Sequence, residues 1–483
     1  MRLTNLGQVP VALRPGYDPD AQGVGIVHIG LGAFHKAHQA ALTDTAMAAA
    51  GGDWRIVGLS LRSPKAAEEL APQNGLFTLI ERGKDTRARV IGSIAGAMCT
   101  AGDPGPALDL MRQQSVRIVS ITVTEKAYGL DRANRACDPT HPAVAADLAN
   151  PTAPQGVLGL ITRALALRRM AGTPPFTVLC CDNLPDNGHL LRGAVVDFAA
   201  RLDPDLAAWI GGNVAFPSTM VDRITPAATD RTRADAAALI GCDDHAATET
   251  EPFCQWVVED HFPLGRPAWE TAGVIFSDAV AAFETLKLRM LNGTHSMLAY
   301  AGFHAGLPFV RDVMADAGLA RLVERHLATA AQTLPPVAGI DVTAYAAQLA
   351  ERFRNPAIAH QTFQIAMDGS EKMPQRIFSA LADARARGVD VRAFVFATAA
   401  WVRHVSGSTH DCAAYDLRDP RAEALRAMVA GRDADGMVAA LRGADFIPAT
   451  VAGDDAFWSE VALLLWDMLA RPMTDIIAAE ATR

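Results

Sequence analysis

Between Gly25 and Gln39 the chain reads GIVHIGLGAFHKAHQ, a β-branched apolar run that passes without a spacer into a Gly-x-Gly turn and then into a helical run. A strand that feeds straight into a helix returns its chain to the same edge of the sheet, so the next strand runs parallel to the first. The fold this imposes is α/β. A turn of this kind also lets the backbone approach a pyrophosphate, whose charge is stabilised by amides at a helix N-terminus. A dinucleotide is therefore the natural ligand, with Ile29, Gly30, Gly32 and Phe34 as its candidate cradle. His35 stands where the third glycine of the usual fingerprint would be, and an ordinary tight strand-to-helix turn reads the same way.

The rest of the first half continues the alternation. Strands are expected at Val24–Ile29, Trp54–Leu61, Phe77–Glu81, Val116–Val123, Phe176–Cys181 and Val214–Met220, in a mainly parallel sheet, with a helix over Gln155–Ala171. From about Asp278 the texture becomes Ala- and Leu-rich, as in Val342–Phe353, Ile377–Arg387 and Val461–Leu469. This predicts a dinucleotide-binding domain over 1–280 and a mainly α-helical domain over 281–483.

Composition narrows the partners. With 44 Lys plus Arg against 53 Asp plus Glu, the net charge is −9, which argues against nucleic acid and anionic membrane. The seven cysteines are an odd number in a long chain, form no C-x-x-C pair and include the adjacent Cys180 and Cys181, a spacing unsuited to an ordinary disulfide, so a reducing compartment is expected rather than a disulfide scaffold. The first twenty residues hold three prolines and no signal-peptide core, and nowhere do 18 apolar residues run together. A soluble cytoplasmic protein is expected.

The acidic residue that usually binds the adenosine ribose is missing: the second strand ends Leu61-Arg62-Ser63-Pro64-Lys65, whose cations suit a 2′-phosphate, so NAD and NADP both remain open. His28, His35 and His38 invite a metal reading, but no H-E-x-x-H and no carboxylate at ligand spacing accompany them, and no metal is expected.

The densest chemistry lies in Phe283-Glu284-Thr-Leu-Lys287-Leu-Arg-Met-Leu-Asn292-Gly-Thr-His295-Ser296. On an α-helix at about 100° per residue, with Lys287 as origin, Glu284 falls at about 60°, His295 at about 80° and Asn292 at about 140°. Carbonyl reduction needs a proton donor, hydrogen-bond donors for the developing oxyanion and a carrier that restores the proton, and these four side chains supply all three. An amine starting near pKa 10.4 must fall by about two to three units to act near neutrality, roughly 3 to 4 kcal/mol, which burial can impose. A solvated polar helix face closed by an Asn-Gly cap fits the same residues.

Three further clusters stand out. Asn183 follows the strand Phe176–Cys181, where parallel sheets place ligand groups, though an Asp-Asn turn is equally ordinary. Asp222-Arg223 ends another apolar run and also reads as a structural salt bridge. Gln364 to Arg376 contains an Asp-Gly-Ser turn with Lys372 and Arg376, cations able to bind a substrate carboxylate or simply to be solvated.

Together these segments closely resemble the polyol-specific long-chain dehydrogenases, the family typified by mannitol 2-dehydrogenase, from about Gly25 to the end of the chain. The Lys287, Asn292, His295 spacing and the stretch Val221 to Pro226 carry the resemblance. It implies an expanded Rossmann-type domain followed by a helical domain, an active site between them, NAD as cofactor and no zinc. It also implies Lys287 as general acid/base, Asn183 and Asn292 as oxyanion donors and Glu284 as the proton gate. By the same resemblance His295 and Lys372 bind substrate, Asp222 lies near the nicotinamide, and Thr124 and Glu125 lie at the nicotinamide-side strand end.

Within the family, Gly32-Ala33-Phe34-His35, Thr124-Glu125-Lys126, Asn150-Pro-Thr-Ala-Pro154 and Gln364-Ile-Ala-Met-Asp-Gly-Ser are most similar to members acting on sugar acids. Mannitol dehydrogenases tend to carry arginine where Gln364 stands. The implied reaction is hydride transfer from NADH to the C5 ketone of D-fructuronate, giving D-mannonate. Oxidation of mannitol or another polyol is the alternative, and a dinucleotide-binding sensor without activity is a third reading. The partner is then a small sugar acid or polyol, with the protein a monomer or small homo-oligomer.

Overall fold

Five short β-branched or small-residue runs, Val24–Ile29 (β1), Arg55–Ser60 (β2), Ile94–Cys99 (β3), Ile118–Ile121 (β4) and Thr177–Cys180 (β5), form one sheet in the order β3-β2-β1-β4-β5. Every neighbouring pair is parallel, with Val27 of β1 opposite Val57 of β2 and Val119 of β4. In β1 every residue after Val24 is buried, because helices cover both faces. Ile26 packs on one side, with the Ala-rich helical turn holding Ala37, Ala40 and Ala41. Val27 and Ile29 pack on the other, with the helices Val157–Ala171 and Asn187–Ala200. The computed structural model describes residues 1–337 and 339–483, apart from the side chain of Glu125. By its contacts the chain divides into two compact units, Met1–Ala281 and Ala282–Arg483.

Two of the expected strands leave the parallel sheet. Phe77–Arg82 pairs antiparallel with Thr86–Ile91 and parallel with Thr248–Thr250, since only Gly83, Lys84 and Asp85 separate it from the following strand. Thr219–Asp222 pairs antiparallel with Gln255–Val258 in a third sheet. The place taken for Phe77–Glu81 belongs to β3, an edge strand whose Ala95-Gly96-Ala97 centre carries too little β-branched character to be read as one.

The order reverses direction between β1 and β4, so the carboxyl ends of these two strands, Ile29 and Ile121, bound the crevice where open α/β sheets bind ligands. Behind it, a buried arginine fixes how the strands enter. Arg168, fully buried near the end of Val157–Ala171, donates from Nε to Met111 O at 2.8 Å and from Nη1 to Pro174 O at 2.6 Å. Its Nη2 donates to Gln113 O and Val116 O, both at 2.5 Å, and the guanidinium covers the Phe176 ring. Burial lowers its pKa to about 10.

The second unit is helical. Arg392–Val405 is buried at every position from Ala393 to Val405, the pattern of a helix enclosed on all sides, and packs on Asp455–Ala470 and Gly293–His304. Replacing Arg168 by Met takes the side-chain donor from four backbone carbonyls, of which those of Met111 and Val116 belong to buried residues. Urea unfolding of Arg168→Met is expected to show a loss of about 3 kcal/mol, and an unchanged midpoint would contradict this account of Arg168.

Candidate functional site

In the first unit, Gly30 occupies a left-handed backbone conformation with φ +98, and a Cβ there would collide with the Thr122 carbonyl oxygen. Only glycine fits. Its N–H donates to Leu59 O at 2.8 Å, and its carbonyl accepts from Thr122 Oγ1 at 3.0 Å. A hydrogen-bond chain supports this contact from below. Gln39 meets Ser120 Oγ at 2.7 Å, Ser120 Oγ meets His28 Nδ1 at 2.8 Å, and His28 Nε2 meets Thr122 Oγ1 at 2.8 Å. The His35 ring stacks on His28 at 3.4 Å, and Phe34 stacks on His38 at 5.0 Å. These histidines are packing and hydrogen-bonding groups beneath the turn. Among the described residues no group of three or more His, Cys, Asp or Glu is placed to hold a metal ion.

Gly32 caps the helical run that follows, in extended backbone, and a Cβ there would meet nothing nearer than Gly30 O at 3.8 Å. Nothing in the protein's own packing requires glycine at 32. The helix after it contains a π-helical turn, Lys36–Ala40, and Arg223 Nη1 donates to Ala37 O within that turn. Arg223 also pairs with Glu81 at 2.5 Å, so the residue beside Asp222 does have a structural ion pair. Asp222 itself is buried at the end of Thr219–Asp222.

At the end of β4, the Val123 N–H and the Tyr128 hydroxyl both donate to Asp182 Oδ2, at 2.8 and 2.5 Å. Asn187 Nδ2 donates to the Asp182 carbonyl at 3.1 Å and to Thr219 O at 2.9 Å. Asp182 and Asn187 thus tie together the ends of three strands around Asn183, which is exposed, and Thr124, also exposed. The side chain of Glu125 lies outside the described residues. Asp182 was legible only as the acid preceding Asn183. Arg62 and Lys65 are exposed beyond β2.

The second unit opens within Val280–Leu286, which Lys287–Asn292 and Gly293–His304 continue, and the middle segment is a π-helical turn. Its hydrogen bonds run i→i+5, so Lys287 and Asn292 come closer to one face than the 140° of an α-helix allows. Lys287 is buried, at 7 % exposure, and Glu284 and Asn292 are half-buried. Arg376 Nη1 donates to the Asn292 carbonyl at 3.4 Å and to Ser296 Oγ at 3.2 Å, fixing the end of the π turn. Arg376 lies in another π turn, Pro374–Phe378, whose proline has no N–H to give to Ser370 O. Lys372 Nζ donates to Ile365 O at 3.3 Å and stands 3.9 Å from Asp368 Oδ2, and Gln364 is exposed. His295 is buried, its ring 4.6 Å from that of Phe353 and 5.4 Å from that of His360. His360 and neighbouring Arg352 were not legible, because the spacing that singles out Lys287, Asn292 and His295 does not reach them.

Burial pushes these histidines down: His28 to about 3, His326 and His360 to about 4, and His404 to about 3. His35 and His295 also fall well below the ordinary value, chiefly from burial, with nearby His28 and His360 adding to the effect. The unfolded chain takes up protons below about pH 6.5 while the fold does not until about pH 4, so stability falls as pH drops through that window. Urea unfolding at fixed ionic strength is expected to show a loss of up to about 1.4 kcal/mol per pH unit for each such histidine. Constant stability from pH 6.5 to 4 would contradict these buried neutral rings.

The family model described as the mannitol dehydrogenase Rossmann domain matches residues 24–271, and that of the mannitol dehydrogenase C-terminal domain matches residues 279–463. A D-mannonate oxidoreductase of Escherichia coli strain K12 is 42 % identical over 422 residues, 85 % of this chain and 86 % of that protein. A mannitol 2-dehydrogenase of Cereibacter sphaeroides is 41 % identical over 418 residues, 86 % of this chain and 87 % of the other. The ternary complex of Pseudomonas fluorescens mannitol 2-dehydrogenase with NAD and D-mannitol superposes with a TM-score of 0.88 at 36 % identity, covering 100 % of this chain and 99 % of that one. No helix among the described residues is long and apolar enough to cross a membrane.

Proposed function

The chain belongs to the mannitol dehydrogenase family, and from that premise we propose that it is an NAD(H)-dependent, zinc-independent oxidoreductase interconverting D-fructuronate and D-mannonate, a fructuronate reductase. The observation that carries the reading is Lys287, an amine at 7 % exposure that opens a π turn ending in Asn292, one turn before His295. Burial of an amine favours its neutral form and so suits it to exchange a proton near neutrality.

The first unit fits a dinucleotide. Gly32 leaves space over the backbone at a helix start that the protein does not fill, which is what close approach of a pyrophosphate requires. Ile29, Gly30, Gly32 and Phe34 would hold the phosphates, with Thr124, Glu125 and Asp222 toward the nicotinamide. The exposed Arg62 and Lys65 leave NADP(H) as a second possible form. When bound, the reduced cofactor supplies the hydride.

The chain's own groups handle the proton and the charge. As negative charge grows on the carbonyl oxygen, the side-chain amides of Asn183 and Asn292 donate to it, and the Lys287 ammonium releases a proton to it from Nζ. Glu284, three residues earlier on the same helix and half-exposed, exchanges the lysine's proton with water. His295, Gln364, Lys372 and Arg376 hold the sugar. The second reading, a mannitol 2-dehydrogenase or related polyol enzyme, draws support from the full-length likeness to the D-mannitol complex.

Initial rates of NADH oxidation separate the two. Fructuronate should exceed fructose in kcat/KM by about a hundredfold or more, a difference of about 2.7 kcal/mol, and the reverse order would assign the polyol reaction. Lys287→Ala should lower kcat by about 10³-fold while still binding NADH, and normal turnover would remove Lys287 from the mechanism. Gly32→Val should raise the NADH Kd by about tenfold or more without moving thermal unfolding, whereas unchanged affinity would refute the cradle.

A further inference from the structure

Along Val157–Ala171 the first unit carries a groove of about 440 Å³ that contains none of the residues assigned to the reaction, a volume ordinary for a small-molecule site. Gly159, Thr162, Ala166 and Met170 recur three or four residues apart, so one stripe of the helix lines it, with Arg163 and Arg169 beside that stripe. Phe198 of Asn187–Ala200, Leu206 of Pro204–Asn213 and Leu202 between them supply a second wall. Pro151 adds a third. It lies in Asn150-Pro-Thr-Ala-Pro154, a segment distinctive in the sequence to which the proposed reaction gives no role. Buried Asp147 holds that segment against the helix start by accepting the Gln155 and Gly156 N–H groups at 2.7 and 2.9 Å, so this wall is preformed.

Two of the lining residues carry unmet polar atoms. Thr162 is 2 % exposed, and its Oγ1, like the Nε of neighbouring Arg163, is buried without a hydrogen-bond partner among the described residues. A threonine inside a helix ordinarily returns its hydroxyl to the carbonyl four residues back, and Thr162 does not. Buried polar atoms are nearly always satisfied, so two adjacent orphans on one groove point to a polar group that the chain itself does not supply.

The charges give that group its sign. The lining holds two cations, Arg163 and Arg169, and one acid, Asp203. Asp203 is already engaged: its Oδ1 accepts the Asp205 N–H at 2.9 Å, and its Oδ2 stands 3.7 Å from Arg169 Nη1. No carboxylate of the groove is left for Arg163, whose planar guanidinium suits a carboxylate from outside. The rest of the wall is hydrocarbon. Ala166, Phe198, Leu202 and Leu206 form it, and Met170, at 79 % exposure, carries it out to solvent with an unbranched side chain that adapts to its partner.

We propose that this groove binds an amphiphilic carboxylate, with its alkyl chain along Ala166, Leu202 and Leu206 and its carboxylate on the Arg163 guanidinium beside the Thr162 hydroxyl. The site stands whether or not Lys287 carries the proton of the proposed reaction.

Calorimetric titration of the full chain with sodium octanoate and with octan-1-ol tests the groove. One octanoate should bind per chain with a Kd below about 1 mM, about tenfold or more tighter than octanol. Arg163→Gln should raise the octanoate Kd by about tenfold while leaving that of octanol within about twofold, and Thr162→Val should act in the same direction by about threefold. Ala166→Trp, which fills the groove, should abolish both with unchanged circular dichroism. No saturable octanoate binding, equal affinities for acid and alcohol, or a preference untouched by Arg163→Gln would overturn the proposal. Should Arg163→Gln fail to fold, raising NaCl on the wild type must weaken octanoate and spare octanol, and parallel behaviour of the two overturns it equally. Several octanoates per chain that ignore Ala166→Trp would be surface partitioning and overturn it as well. So would a dimer in sedimentation that excludes octanoate and that Ala166→Trp dissociates, which would give the groove to a second copy of the chain.

Discussion

The first unit is organised by one close approach, the backbone of residue 30 against the carbonyl of Thr122. It can occur only where β1 and β4 lie side by side and the residue between strand and helix has no side chain. From that contact follow the direction in which the helical run leaves the sheet, the space left over Gly32 and the placement of Thr122 Oγ1 on the Gly30 carbonyl. The His28–Ser120–Gln39 chain stiffens the contact from within the core, and Asp182 carries the same rigidity across to β5. A phosphate cradle needs fixed amides because it has no side chains with which to adjust.

The candidate groups of the second unit depend on a different device. Among the described residues each π-helical turn lies at a segment that carries candidate groups: Lys287–Asn292 and Pro374–Phe378 around Arg376 in this unit, and Lys36–Ala40 beyond Phe34 in the first. A π turn breaks the regular i→i+4 ladder and leaves a carbonyl in need of a donor. At Ala37 and at Asn292 that donor is an arginine from elsewhere, Arg223 and Arg376. An irregular turn that the surrounding structure takes care to hold is one whose geometry is used.

How much of this was legible varies with how local its cause is. The bounds of β1 and the α/β class follow from an uninterrupted β-branched run meeting glycine. The sheet membership of Phe77–Arg82 does not, because the short hairpin link at 83–85 decides its partner, and β3 was hidden by its Ala-Gly-Ala centre. Lys287, Asn292 and His295 stand out by spacing, although the helical wheel that grouped them assumed α geometry where the chain makes a π turn. Arg352 and His360 were invisible because only folding brings Val342–Phe353 and the segment after it to His295. The resemblance to the polyol dehydrogenases supplied the family, which the comparisons bear out over both domains.

The proposed reaction therefore turns on whether the amine of Lys287 carries the proton. The most direct measurement is the pH dependence of kcat for ketone reduction, with Lys287→Ala compared against wild type and methylamine added to the variant. If the account is right, the wild type shows an ionisation limb that disappears in Lys287→Ala, and the small amine restores part of the rate. A variant that keeps the wild-type limb and ignores methylamine would show that the proton comes from elsewhere.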